Sequence, residues 1–132
     1  MDKLDIVTDE SGNEVVLLPE IIFSNKQNIN WNDVEDYLGK YVGELIEIAE
    51  TRDIIYIGNK FPDEYGGSSY TRKTKGARAK AKANAAQGIR EMVEIATDKV
   101  YRENHKEKHS EDAHNGWFYY VTRFAIPLYN NE

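Results

Sequence analysis

Cysteine is absent from this sequence, which excludes disulfides, thiolate metal sites and cysteine nucleophiles and suits a reducing compartment. Stability has to come from packing. Long apolar runs are also missing: nothing approaches the ~18 consecutive apolar residues of a membrane span, and the opening MDKLDIVTDE lacks the basic, then apolar order of a secretory signal. These absences predict a cytoplasmic protein with no membrane partner. Three signatures of nucleotide and hydrolase chemistry are wanting as well. EYGGSSY does not supply GxxxxGK(S/T), no GxSxG elbow occurs, and no GxGxxG follows a strand-like run. Nucleotide hydrolysis, serine hydrolysis and dinucleotide chemistry are set aside, and no cofactor is expected.

What is present fits one α+β domain over residues 1–132. Its 40% hydrophobic content, with 9 tyrosines and 2 tryptophans, offers enough apolar area to offset the entropy of ordering a chain of this length. LDIVTDESGNEVVLLP, within residues 1–20, reads as a β-hairpin whose polar turn includes Gly12 and Asn13, both tolerant of positive φ. NINWNDVEDYLGKYVG predicts a helix over 30–43, with Asn30 as N-cap and Asp33, Glu35 and Asp36 near the positive end of its dipole. Trp31, Val34, Leu38 and Tyr41 share one face of it, facing the core. ELIEIAETRDIIYIG predicts a second hairpin over 44–58, turning at TRD, and NKFPDEYGGSSY reads as an ordered loop in which Ser68 or Ser69 could cap the next helix.

That next helix is expected to be long and alanine-rich, from 70 to 102, with Ala77, Ala81 and Ala85 as a small-residue stripe toward the sheet. ENHKEKHSEDAHNG follows as a short polar helix or turn. WFYYVTRFAIPLY predicts one or two strands over 117–128, with Trp117, Phe118 and Tyr119 in the core. The expected architecture is a mostly antiparallel sheet with one long and one shorter helix packed on it.

Charge is divided along the chain. Residues 1–64 hold 15 acids and 5 bases, residues 65–90 no acid and 7 bases, and residues 91–132 hold 8 acids and 5 bases, so the net charges are −10, +7 and −3. Two electrostatic surfaces are possible, one suited to a basic partner and one to a phosphate backbone. The seven bases are Arg72, Lys73, Lys75, Arg78, Lys80, Lys82 and Arg90. On a helix, Lys75, Arg78 and Lys82 fall in nearly the same sector as Ile89, Val93 and Val100, so the first half is expected to overhang the core and lie along phosphates. The alternative is a solvated helix that partly neutralises acidic neighbours. No pattern for reading bases is present.

His105 and His109 have i, i+4 spacing, but HKEKH places its Glu in the middle rather than beside the first His, so it is not the zinc-protease motif and no metal site is expected. RNA cleavage needs one group to take the 2′-hydroxyl proton and another to stabilise the developing charge; His109, His114, Tyr119 and Arg123 are the candidates.

YIGNKFPDEYGGSSYT, AKAKANAAQGIREMVEIAT and HSEDAHNGWFYYVTRFAIPLYN resemble a segment near the end of large polyvalent proteins of Firmicutes phages and integrative elements, whose ends are similar to nucleases of the barnase, EndoU, colicin and RelE group. The resemblance covers roughly residues 42–130, and ANAAQG and NGWFYY with TRFAIP are its most specific pieces. It implies an α+β fold, a mobile-element origin and possible RNA cleavage. In the longer relatives the chain continues past the segment like RFAIPLYN into further strands, and the N-terminal hairpin is expected to stand in for them. Three functions are carried forward: an anti-CRISPR-like inhibitor that binds a host effector such as Cas9 or its guide RNA; a metal-independent RNase; and a nucleic-acid-binding accessory protein.

Overall fold

The computed structural model describes residues 3–24, 29–67, 76–103 and 116–127. The fold is α+β, with mostly antiparallel strands distributed over three small sheets among the described residues. Strands β1 (Ile6–Thr8) and β2 (Glu14–Leu17) pair antiparallel. Their turn is set by Asp9, whose Oδ1 accepts from the backbone N–H of Ser11 and Asn13, both at 2.9 Å, while Gly12 takes φ +85°. β2 also pairs, in parallel, with β7 (Phe124–Ala125), matching Val16 to Phe124 and Leu17 to Ala125.

Helix α1 (Trp31–Leu38) starts where Asn30 Oδ1 accepts from the N–H of Asn32 and Asp33 at 3.1 and 3.4 Å. A 3₁₀ turn, Gly39–Tyr41, completes it, and Trp31, Val34, Leu38 and Tyr41 are all buried, as their spacing predicts. β3 (Leu45–Glu47) and β4 (Ile54–Tyr56) form the second hairpin, whose turn holds Arg52 at φ +68°.

NKFPDEYGGSSY is a correction: Phe61–Gly67 is helix α2, not a loop. Pro62 is tolerated in a first turn, where its missing N–H has no intrahelical partner to lose. Gly66 lets α2 approach α1 closely: a Cβ there would stand 3.0 Å from Glu35 Cγ on α1. Ser68 and Ser69 lie outside the described residues.

The alanine-rich helix is shorter than expected and broken. α3 (Gly76–Asn84) passes through a 3₁₀ turn, Ala85–Gly88, into α4 (Ile89–Glu94). Its end is set by tertiary contacts: Glu94 O accepts from Ala49 N at 3.0 Å, and Thr97–Arg102 is strand β5, paired with β6 (Trp117–Val121). The β-branched and aromatic residues of TDKVYR find a partner strand, and that pairing overrides helix propensity. The expected stripe is met in part: Ala85 is buried, but Ala77 is exposed and Ala81 half-buried, while Ala79, Ala83 and Ala86 are buried, so from Ala79 onward this helix lies on the core.

Asn84 is fully buried on α3 and closes four hydrogen bonds. Its Oδ1 accepts from Ile22 N and Phe23 N at 2.8 and 3.1 Å, and its Nδ2 donates to Phe23 O and Lys80 O at 2.9 and 2.8 Å. The segment after the first hairpin is thereby fixed to the helix without an unsatisfied buried group. Among the described residues no helix is long and apolar enough to cross a membrane.

Candidate functional site

The first surface is acidic. α1 exposes Asp33 and Asp36 opposite its buried stripe, and α2, packed against it through Gly66 and Glu35, exposes Asp63 and Glu64. The sequence offered Asp33, Glu35 and Asp36 as helix-dipole partners; that Asp63 and Glu64 stand on a second helix packed against the first was not legible there.

The basic segment is less available than its composition suggests. Arg72, Lys73 and Lys75 lie outside the described residues. Of the remainder, Arg90 donates to Glu44 in an ion pair, and Lys82 sits 5.0 Å from the ring centre of Tyr65, its ammonium pKa lowered by burial. Lys80 is half-buried and Arg78 exposed. Tyr65 donates its hydroxyl to Lys82 O at 2.6 Å, and burial pushes its phenol pKa up.

A cluster not read from the sequence joins the two hairpin ribbons. Asp53, at the β3–β4 turn, accepts at Oδ2 from Lys99 Nζ on β5 and from Tyr120 Oη on β6, both at 2.8 Å. Hydrogen bonds from Lys99, then Tyr120, then Thr51 hold the carboxyl down at about 2, so it is ionised at any ordinary pH. Lys99 is raised by the same pair, and Tyr120 is raised by desolvation and by Asp53. All three groups are mutually satisfied, an arrangement that clips structure together rather than readying a proton for transfer. Under the clip lies a cleft of about 750 Å³, lined mainly by apolar side chains including Ile55, Phe61, Ile89, Met92 and Trp117.

The β5–β6 ribbon overturns the expectation that the aromatic run is core. Trp117, Phe118 and Tyr119 are 39%, 56% and 51% exposed, because a two-stranded ribbon has only one face to turn toward the body of the fold. Phe118 packs beside Tyr101 with ring centres 5.2 Å apart and carries Lys99 Nζ at 4.4 Å. On the other face Arg102 lies over Tyr119, 5.7 Å from its ring centre.

Of the four candidates for RNA cleavage, two lie within the described residues. His109 and His114 lie outside the described residues. Tyr119 is on exposed β6, while Arg123 is half-buried in the link to β7, its carbonyl accepting from Val16 N at 3.0 Å. Among the described residues no group of three His, Asp or Glu side chains could hold a metal ion. The chain matches no protein-family model, no curated protein and no solved structure.

Proposed function

We propose that this is a mobile-element protein that acts in the cytoplasm of a bacterial host by binding a nucleic-acid-guided defence nuclease, an effector such as Cas9 together with its guide RNA, and blocking it by occupancy. The observation that carries the reading is the exposed acidic α1–α2 pair within a half-chain of net charge −10. Guided nucleases hold nucleic acid in positively charged channels through its backbone. A rigid polyanionic surface meets the same cations, and long-range attraction accelerates the encounter. Asp33, Asp36, Asp63 and Glu64 are the residues assigned to that contact.

The test is one denaturing gel. Purified protein is mixed with labelled guide RNA, alone and loaded in Cas9, and cleavage of target DNA is followed in parallel. Blocked DNA cleavage with intact RNA is the expected result. RNA shortened by the protein replaces this reading with the RNase one, and unchanged DNA and RNA remove this nuclease as the target.

A further inference from the structure

We propose that the face of the β5–β6 ribbon that carries Arg102 and Tyr119 is a binding site for single-stranded nucleic acid, with Tyr119 as a base-stacking platform and Arg102 as its phosphate or base partner. The site does not depend on the acidic α1–α2 pair, and nothing in the charge pattern of residues 70–90 marks it.

Val100 is opposite Tyr119, and Arg102 is opposite Trp117, so Arg102 and Tyr119 are diagonal neighbours on one face of the ribbon. Tyr119 is half-exposed, and Arg102 is exposed with its guanidinium over that ring. Among the described residues no carboxylate pairs with Arg102. The opposite face differs on this point: Lys99, beside Phe118, is already neutralised by Asp53. A ring and a cation with no carboxylate partner among the described residues match the two parts of a single-stranded nucleotide, a base with an open π-face and an anionic phosphate. A duplex hides its base faces within the stack and offers only the phosphate.

The binding is read by fluorescence anisotropy with a labelled uridine oligomer of about 12 nucleotides, within the usual footprint of such sites, and with a blunt duplex of the same length. Wild-type protein is expected to bind the single strand in preference to the duplex, more weakly as salt rises. Tyr119→Ala should weaken binding about tenfold, the size of one base stack, while Tyr119→Phe keeps it. Arg102→Gln should weaken binding and lower the salt slope by about one. Phe118→Ala, on the opposite face, should bind as wild type does. Equal melting temperatures for these variants separate a lost contact from a lost fold. No binding of the oligomer at low salt overturns the proposal, as does wild-type affinity in Tyr119→Ala or an equal loss in Phe118→Ala. These outcomes are independent of nuclease inhibition, which the acidic pair alone is assigned to produce.

Discussion

α1 and β6 each carry a concentrated set of large apolar residues, yet they meet opposite fates. Trp31, Val34, Leu38 and Tyr41 fall at helical spacing and disappear into the core; Trp117, Phe118 and Tyr119 are consecutive and stay at the surface. Consecutive residues on a strand point to alternate faces, so a run of aromatics cannot be buried unless both faces are covered. Among the described residues β6 has only β5 beside it in the sheet. Hydrophobic content therefore says little about burial until period and layer count are known.

The comparison can be broken by mutation. Trp31→Ala should cost about 3–5 kcal/mol by chemical denaturation, the range for emptying a large aromatic site in a core, and Phe118→Ala less than about 1 kcal/mol. Similar losses at the two positions would contradict the contrast. Next in size, Asn84→Ala strips partners from the backbone groups of Ile22, Phe23 and Lys80, and should cost roughly 3 kcal/mol, since orphaned buried groups are expensive. Gly88→Ala follows. A Cβ there would lie 3.1 Å from Leu18 Cδ2 and 3.3 Å from both Leu4 Cδ1 and Val16 Cγ1. Overpacking at this junction between the first hairpin and the 3₁₀ turn should cost about 1–2 kcal/mol, read as a lowered denaturation midpoint with the slope unchanged.

The smallest effect concerns the clip between the ribbons. Asp53 is depressed from its ordinary 3.8 to about 2 in the fold, so its contribution is complete above the unfolded value and is lost as pH falls through the folded one. Asp53→Asn lacks that contribution throughout. The stability gap between wild type and Asp53→Asn should accordingly close between about pH 4 and about pH 2, followed by denaturation curves across that window. A gap that stays constant to the lowest pH would mean that the carboxylate is not what holds Lys99 and Tyr120.

How far the fold was legible in the sequence follows the range of the interactions. α1 and both hairpins are written in local signals: the Asn30 cap, the Asp9 turn, the apolar period. The end of α4 is not, because Ala49 and the partner strand that stop it lie far away in sequence. α2 was hidden for a related reason. Pro62 and Gly66 carry loop chemistry when read locally, and only the close approach of Glu35 explains why a glycine sits inside a helix. The acidic surface was readable as net charge, but its assembly on two packed helices was not. Arg102 beside Tyr119 had no local signal at all, since strand register brought them together.

The most direct test of the account is the affinity of the guide-loaded nuclease for three proteins: wild type, a variant carrying Asp33→Asn, Asp36→Asn, Asp63→Asn and Glu64→Gln, and Tyr119→Ala. The account predicts that the neutralised variant, melting as wild type does, binds at least about tenfold more weakly and loses its salt dependence and its inhibition. Wild-type affinity and inhibition in that variant would contradict the claim that the acidic helix pair is the working surface.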